Sequence, residues 1–404
     1  MSVYLAGGDF STDTVGALAS VRGFTFARAS TATTYDETAG TVATGVGVDT
    51  ARAAKSAAGR VGLLVEPVRT NLIPYDSVLS GGGWAAGTGA TETADAVASP
   101  DGTTTADRSA GASGAIARYW TKTATHSAGT VYAISFWMKN NGGGNPSSVS
   151  ATFGVTASPM SPTSAWTRFR RTAADTSGAS GNNYILIDGR NNSGSGGNVA
   201  TAYDLYRWGH QIEVSGSGSA KWSSSLIPTT GTSATRAADK LSIAESTVEA
   251  AGALRFYCKV EMPSTLLNHV EAGGSGELTL WTDAAGSYKC WIDASSGAIY
   301  AQALASDLGI PAAVYTTSSP VSVAAGDLLE VWVVCGGAAL PTIKYRINAG
   351  SVVTPTLSSG TRTHTLPTIG ATVHVLGDST GANGLYGTVQ TVAFYADGQA
   401  PGGF

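Results

Sequence analysis

Three strand-like runs near the carboxyl end of the chain carry aromatic and charged side chains at alternate positions. In ALRFYCKV, YKCWID and LLEVWVVC, the apolar residues fall on one face of the strand. The opposite face then presents Tyr257, Trp291 and Trp332, with Lys289 and Asp293 on either side of Trp291. Aromatic rings can stack on the apolar face of a pyranose while polar neighbours hydrogen-bond its hydroxyl groups. The pattern predicts a carbohydrate-binding surface; the alternative is that these rings are buried between subunits or beneath a second sheet.

A second group of aromatic residues lies in the middle of the chain. ARYWTK places Tyr119 and Trp120 side by side in a loop or at a strand edge, and Trp137 and Trp166 occur in strand-like runs nearby. Core packing is the favoured interpretation of these middle aromatics, because large rings in apolar runs are more often buried. Tyr119 and Trp120 nevertheless complete the set of carbohydrate-binding candidates.

The stretch GLLVEPVRTNLIP combines a carboxylate and a guanidinium in an apolar run. Glu66 and Arg69 are three residues apart, with Pro67 and Pro74 fixing an extended path around them. They are candidates for a catalytic pair, a buried ion pair or a hinge. No nucleophile, second acid or metal ligand lies near them, so catalysis is disfavoured. We expect an ion pair that sets the register where one part of the protein joins the next.

No residue pattern typical of an enzyme, metal site or cofactor site appears. GVGVDT and GGGW lack the strand-to-helix context of a phosphate loop, and GxSxG and HExxH motifs are absent. The five histidines show no metal-ligand spacing. We therefore expect no catalytic residues, no metal and no cofactor. Two carboxylates brought together by folding, as in a glycosidase, remain an open alternative.

The composition is that of an all-β protein with few charges. Charged residues make up 13% of the 404, Gly contributes 52, and the net charge of −4 disfavours nucleic acid as a partner. Cys258, Cys290 and Cys335 lie in apolar runs and are expected to be buried free thiols. No secretory signal is visible, and no apolar run reaches the ~18 residues of a membrane-spanning helix, so no membrane insertion is expected.

Turn-punctuated strand patterns predict two consecutive β-sandwich domains of jelly-roll type. Residues 1–70 are small, polar and weakly patterned, which predicts a largely irregular docking or oligomerisation segment that gains order by packing on a partner or on the rest of the chain. The first sandwich is predicted over 71–238 and the second over 239–404. IPTTGTSATRAAD is interpreted as the linker between them.

Several ordered motifs resemble a known family. FTFARASTATTYD followed by GLLVEPVRTNLIP resembles the start of many bacteriophage structural proteins, and WGHQIEV through TRAAD is similar to the close of a carbohydrate-binding-like sandwich. Together they resemble the head spike fibre proteins of tailed phages and gene transfer agents, with related tail-fibre proteins. The final region resembles a concanavalin-like or laminin-G-like jelly roll through GLYGTVQTVAFYADGQAP, although Gln390 or Thr391 replaces the usual Arg.

The resemblance implies a virion-surface protein made in the bacterial cytoplasm. Its amino-terminal segment would dock on a capsid, tail or spike-base partner, and its sandwiches would contact host surface polysaccharide, either capsule or lipopolysaccharide. A homo-oligomer, with a trimer as one form, would combine weak sugar contacts by avidity. The alternatives are a purely structural or decoration subunit and, less favoured, a polysaccharide depolymerase.

Overall fold

The protein folds almost entirely as β-strands, as seen in a computed structural model of the chain. The prediction of an all-β protein with β-sandwich architecture is confirmed. The structure describes residues 4–18, 23–74, 76–77, 84–86, 90–111, 119–126, 130–142, 161–174, 181–188, 202–217, 222–244, 246, 254–263, 265–266, 276–283, 288–303, 313–317, 320–335, 342–355, 357–358, 372–378, 384–395, 401 and 404.

The strands are numbered in chain order. The first half of the chain contains β1 (Tyr4–Asp9), β2 (Gly16–Ala17), β3 (Thr25–Ala27), β4 (Ala32–Asp36), β5 (Thr41–Val46), β6 (Arg52–Lys55), β7 (Val61–Val65), β8 (Arg69–Asn71), β9 (Trp84–Ala86), β10 (Ala90–Val97), β11 (Ala106–Gly111), β12 (Tyr119–His126), β13 (Thr130–Asn140), β14 (Thr167–Ala174) and β15 (Gly181–Asp188). The second half contains β16 (Tyr203–Ser217), β17 (Ala234–Arg236), β18 (Lys240–Ala244), β19 (Leu254–Glu261), β20 (Glu277–Asp283), β21 (Tyr288–Asp293), β22 (Ile299–Ala303), β23 (Ala313–Thr317), β24 (Leu328–Cys335), β25 (Thr342–Ile347), β26 (Leu357–Ser358), β27 (Thr372–Val375) and β28 (Gly387–Tyr395).

The chain forms two compact units that do not follow the predicted boundaries. Unit 1 contains Met1–Thr34, Val46–Val68 and Ala237–Phe404, and unit 2 contains Tyr35–Gly45 and Arg69–Arg236. The predicted segment 1–70 is therefore not a body of its own, because most of it belongs with the carboxyl-terminal residues. The chain passes between units four times: at Thr34/Tyr35, at Gly45/Val46, at Val68/Arg69 inside GLLVEPVRTNLIP, and at Arg236/Ala237 inside TRAAD.

In unit 1, sheet A is built around β28. Its strand order is β25-β24-β19-β28-β7-β6-β4, with β1 also paired to β28 and β2 paired to β6. β28 pairs with β19 along one edge and with β1 and β7 along the other, and all nine of its residues are buried. Neighbouring strands and the opposite sheet thus cover β28 completely, including its polar residues Thr388, Gln390 and Thr391.

The amino-terminal residues are strands of this sandwich, contrary to the prediction of a largely irregular segment. β1, β2, β4, β6 and β7 contribute to sheet A, and β3 contributes to the second sheet. The physical reason is that these strands are short and rich in small residues, so they bury too little to stand alone. They become ordered by pairing with strands formed more than two hundred residues later in the chain.

Sheet B of unit 1 has the strand order β26-β23-β22-β21-β20-β27-β18-β3. Its inner face is apolar, with Leu241 and Ile243 of β18 and Val373 and Val375 of β27 all buried, while the alternate residues of both strands are partly exposed. Phe24, just before β3, lies 6.2 Å from Phe394 of sheet A, measured between ring centroids. The two sheets thus share one core, as in a β-sandwich.

Unit 2 contains a five-stranded sheet, β10-β11-β16-β13-β14, a three-stranded sheet, β15-β12-β9, and the pair β17-β8. Trp137 and Trp208 anchor a core cluster with Leu226. Gly209 has φ +65°, and a Cβ there would meet Trp137 Cδ1 at 3.2 Å. The β13/β16 register shifts beside it, so this glycine accommodates a β-bulge within WGHQIEV.

Cys258 and Cys290 are buried free thiols, as predicted. The side chain of Cys335 lies outside the described part of the structure.

Candidate functional site

Tyr257 and Trp332 lie opposite each other on β19 and β24 of sheet A. The sequence predicts an exposed face here, but their exposed fractions are only 6% and 4%. Tyr395 packs edge-on against Trp332 at 5.4 Å, and Phe404 packs edge-on against Tyr257 at 5.7 Å. The prediction of exposure is therefore wrong for these two rings, because aromatic residues distant in sequence cover them.

A charged network completes this covered face. Tyr257 Oη donates to Glu330 Oε2 at 2.5 Å, and Arg346 donates to both oxygens of Glu330 at 2.9 and 2.7 Å. The guanidinium of Arg346 also lies over the ring of Phe404, at 4.9 Å. Burial and the hydrogen bond to Glu330 raise the pKa of Tyr257, so its hydroxyl stays a donor. These contacts fix the covering ring in place.

The outer face of sheet B holds the other aromatic candidate. Trp291 of β21 lies directly opposite Tyr300 of β22, and the rings stack with 5.0 Å between centroids and 8° between planes. Nζ of Lys289 lies 5.1 Å from the centroid of Trp291, and the same amine pairs with the carboxylate of Glu277. Trp291 is only 7% exposed, whereas Tyr300 is partly exposed. Tyr300 is therefore the more accessible ring of the pair.

A row of polar side chains crosses this face beside the aromatic pair. Ser242 pairs with His374, His374 with Thr282, and Thr282 with Lys289, so β18, β27, β20 and β21 each contribute one residue in register. The alternate residues of β18 and β27 point into the core, which places this row on the outer face of the sheet. Ser242, His374 and Lys289 are partly exposed, whereas Thr282 is 5% exposed and its hydroxyl donates to the Asp283 carbonyl at 3.1 Å. We call Ser242, His374, Thr282 and Lys289 the polar row.

Two polar atoms near the row lack partners in the part of the chain that the structure describes. Thr279 Oγ1 is fully buried, on a residue opposite Trp291, and His374 Nδ1 is also buried. Burial lowers the pKa of His374; Asp378 and Asp283 act against this shift, and Lys240 acts with it. The lowered pKa favours the neutral imidazole of His374, and its Nδ1 is enclosed by the protein.

Asp293 closes the turn between β21 and β22. Its Oδ1 accepts hydrogen bonds from the amides of Ser295 and Ser296, at 3.1 and 2.7 Å, and from both of their hydroxyls. Burial alone would raise the pKa of Asp293, but these hydrogen bonds hold it below its ordinary value. The turn explains the position of Asp293 without a ligand.

Tyr119 and Trp120 belong to β12 in unit 2, which lies between β15 and β9. Their side chains lie outside the described part of the structure. The seven predicted site residues are therefore not one cluster. Lys289, Trp291 and Asp293 share sheet B, Tyr257 and Trp332 share sheet A, and Tyr119 and Trp120 belong to the other unit.

The motif residues of GLLVEPVRTNLIP and TRAAD build a buried charge network in unit 1. Arg52 Nη2 lies 2.5 Å from Glu66 Oε2 and 2.9 Å from Asp239 Oδ2. Arg28, in the RAST motif, lies 3.1 Å from Asp239 Oδ1. Asp239 Oδ2 also accepts a hydrogen bond from the Glu66 amide at 2.9 Å. The network gives Glu66 the partners Arg52 and Asp239, which the Glu66/Arg69 spacing could not indicate.

The motif residues of unit 2 are equally buried. Glu213 of WGHQIEV accepts hydrogen bonds from the amide and hydroxyl of Ser224, and Gln211 accepts one from the Ile227 amide at 2.6 Å. Asn71 accepts from the Ile212 amide at 3.1 Å. These residues hold loops to strands within unit 2. The motifs that carry the resemblance thus describe a scaffold, not a ligand site.

Sequence reasoning missed Tyr300, His374, Thr279 and Thr282 as members of the face. AIYAQA and TVHVLGD are recognisable as strands, so alternation predicts the strand face on which each of their residues lies. The strand order that brings β18 and β27 beside the consecutive strands β20 and β21 is not readable, because β18 and β27 are far from them and from each other in sequence.

Among the described residues, no group of His, Cys, Asp and Glu is arranged to hold a metal ion. No helix in the described ranges is both long and apolar enough to cross a membrane.

Comparison with known proteins gives no family. No protein-family model matches the sequence, and no curated protein matches it. Among solved structures, the chain is similar to the N-terminal CBM22-1-CBM22-2 tandem domain from Paenibacillus barcinonensis Xyn10C, with 11% identity and a TM-score of 0.26. The match covers 81% of this chain and 98% of that chain. A TM-score of this size carries no argument about function.

Proposed function

We propose that this protein is a non-enzymatic virion-surface subunit that binds a host surface polysaccharide through the outer face of sheet B. The observation that carries the binding proposal is the placement of the polar row beside the stacked pair Trp291 and Tyr300. Tyr119, Trp120, Tyr257 and Trp332 are not part of the proposed site.

The aromatic pair supplies the apolar part of the site. Cross-strand stacking orients both rings on the sheet, so Tyr300 loses little freedom when a sugar packs against it. Trp291 acts mainly as its support, because Tyr300 and Lys289 already lie against its ring.

The polar row supplies the hydrogen bonds. Neighbouring strands in a sheet are about 4.8 Å apart, so residues in register across four strands form a line about 14 Å long. That length spans several sugar rings of a polymer. The partly exposed Ser242, His374 and Lys289 along this line carry hydroxyl, imidazole and amine groups, which can donate to or accept from sugar hydroxyls.

The virion role is supported by the motif resemblance, whose residues form the buried networks of the two units. The subunit would contact capsule or lipopolysaccharide on the host, and spike-base, capsid or tail proteins on the particle. A homo-oligomer, such as a trimer, would multiply weak contacts by avidity.

The second candidate is a purely structural or decoration subunit without glycan binding. The burial of Tyr257 and Trp332 beneath Tyr395 and Phe404 favours it, because these rings have a packing role that needs no ligand.

A bacterial glycan array separates the two candidates. We expect wild-type protein to bind at least one polysaccharide and Tyr300→Ala to lose that binding. Tyr206→Ala, which removes a partly buried tyrosine of unit 2, is the matched control and should bind like wild type. Absence of any glycan binding would favour the structural subunit, and release of reducing ends would identify a depolymerase. Imaging of labelled particles tests the virion location.

A further inference from the structure

Two strands of sheet A, β19 and β25, carry cations on their outer face, and β24 lies between them. The apolar residues of these strands point into the core of unit 1, so their alternate residues lie on the opposite side of the sheet. Those alternate residues include Arg255, Lys259, Lys344 and Arg346, all of which are partly exposed. We call these four residues the basic face.

Glu330 of β24 balances one of these cations. It lies opposite both Lys259 and Arg346 in the sheet, and Arg346 donates to its two oxygens at 2.9 and 2.7 Å. Among the described residues, the amines of Lys259 and Lys344 form no ion pair and no hydrogen bond. These two partly exposed amines are therefore available to pair with an anionic ligand.

Other carboxylates of the outer face do not cancel this positive charge. Glu261, at the end of β19, pairs with Arg60 at 3.6 Å, so the pair adds no net charge. Asp9 of β1 lies in the row of Lys259, on the far side of β28, and adds one negative charge. The four cations of the basic face thus meet two carboxylates, Glu330 and Asp9, among the described residues of the strands that form this surface. The surface keeps an excess of two positive charges, although the whole chain carries −4.

The spacing of the cations indicates the class of ligand. Lys259 and Arg346 are two strands apart, about 10 Å across the sheet, and Lys344 and Arg346 are two residues apart, about 7 Å along β25. Each strand of a nucleic acid carries a charge every ~3.4 Å, which these separated cations cannot match. A polysaccharide with a carboxylate on only some of its sugars has a lower charge density, which fits these intervals better.

We infer that the basic face binds acidic polysaccharide, a polymer that carries carboxylate groups, and that Lys259 and Lys344 pair with those carboxylates. This inference rests on the proposed function and adds a second contact surface and a class of polymer to it. The outer faces of the two sheets of a sandwich point away from each other, so the basic face is separate from Trp291 and Tyr300. In a polysaccharide layer, the two faces would contact neighbouring polymer chains and strengthen binding by avidity.

Matched polymers test the ligand class. The probes are bacterial polysaccharides that contain uronic acids, the carboxyl-reduced form of each, and single-stranded DNA, assayed by affinity electrophoresis. We expect wild-type protein to bind the acidic polymers more tightly than their reduced forms, with an affinity that falls at least about fivefold between about 50 and about 500 mM NaCl. Equal binding to acidic and reduced forms would overturn this inference while leaving the proposed function intact. Tighter binding to DNA than to every acidic polymer would overturn the ligand class, and failure to bind any polysaccharide would overturn both proposals.

Substitution of the two lysines tests their role. We expect the double variant Lys259→Gln/Lys344→Gln to bind acidic polymers about fivefold to tenfold more weakly than wild type and to bind the reduced forms unchanged. The matched variant Lys259→Arg/Lys344→Arg keeps both charges and should stay within about twofold of wild type. Lys139→Gln, which removes a partly exposed lysine of unit 2, is the second control and should change nothing. Thermal denaturation of each variant excludes unfolding as the cause.

The same variants separate this inference from the proposed function. Wild-type affinity of Lys259→Gln/Lys344→Gln for acidic polymers would show that the basic face does not contact them, whatever the result for sheet B. Weakened binding by this double variant, together with full binding by Tyr300→Ala, would overturn the proposed site on sheet B and leave the basic face as the contact surface.

Discussion

The ring of Trp291 lies flat against that of Tyr300, with 5.0 Å between centroids and 8° between planes. Because Trp291 is nearly buried and Tyr300 is partly exposed, the two rings have different roles. Trp291 supports its neighbour on the sheet surface, and Tyr300 is the more accessible ring of the pair.

This difference predicts that loss of the Trp291 ring affects stability more, and that loss of the Tyr300 ring affects polysaccharide binding more. We expect Trp291→Ala to lower the free energy of unfolding by about 3–5 kcal/mol. Tyr300→Ala should cost less, about 1–2 kcal/mol, while removing most polysaccharide binding. Urea denaturation and affinity electrophoresis measure the two effects. A Trp291→Ala variant of wild-type stability would contradict the supporting role.

Phe404 is expected to stabilise the outer face of sheet A. Its ring covers Tyr257 and receives the guanidinium of Arg346, so Phe404→Ala should lower the free energy of unfolding by about 1–2 kcal/mol. Val352→Ala, which removes an exposed apolar side chain of unit 1, is the control and should change little. Equal effects in denaturation would show that Phe404 contributes no more than a surface residue.

The buried charge network predicts a large asymmetry between two arginines. Arg52 is fully buried with Glu66 and Asp239, so Arg52→Met would remove the guanidinium that both carboxylates share and cost about 3–5 kcal/mol. Arg108 pairs with Asp204 on a side chain that is 42% exposed, so Arg108→Ala should cost about 1 kcal/mol or less. Chemical denaturation of both variants compares them. Similar losses of unfolding free energy would mean that the buried network of Arg52 stabilises the protein no more than the exposed Arg108–Asp204 pair does.

His210 predicts a pH-dependent term in the stability of unit 2. Burial, and secondarily the charge of Arg207, lower its pKa to about 3, so its neutral form is favoured by folding. Its contribution to stability is lost as pH falls from about 6.5 to about 3, at about 1.4 kcal/mol per pH unit. Burial raises the pKa of the neighbouring Asp76 to about 6, which gives the opposite slope between about pH 4 and 6.

The variant His210→Gln isolates this term. The difference in unfolding free energy between wild type and variant should shrink by about 1.4 kcal/mol for each pH unit below about 6.5. Denaturation curves at several pH values give this difference directly, and the Asp76 slope cancels from it. A difference that stays constant with pH would mean that His210 titrates normally in the folded protein.

Much of the local structure was readable from the sequence. Alternation in ALRFYCKV, YKCWID and LLEVWVVC correctly separated residues that point to opposite faces, because the period of a strand is two. The all-β class followed from turn residues and strand formers. The buried thiols of Cys258 and Cys290 followed from their apolar positions.

The sequence alone determined which residues share a face of a strand, and the tertiary structure decided what covers that face. Tyr257 and Trp291 look alike in sequence, since both are aromatic residues on the polar side of an alternating strand. Phe404 covers Tyr257, whereas Trp291 supports the more accessible Tyr300 beside the polar row. The same holds for the amino-terminal strands, whose partners lie more than two hundred residues away. Strand alternation is set by local backbone geometry, but sheet order and face coverage arise from long-range pairing that no local pattern encodes.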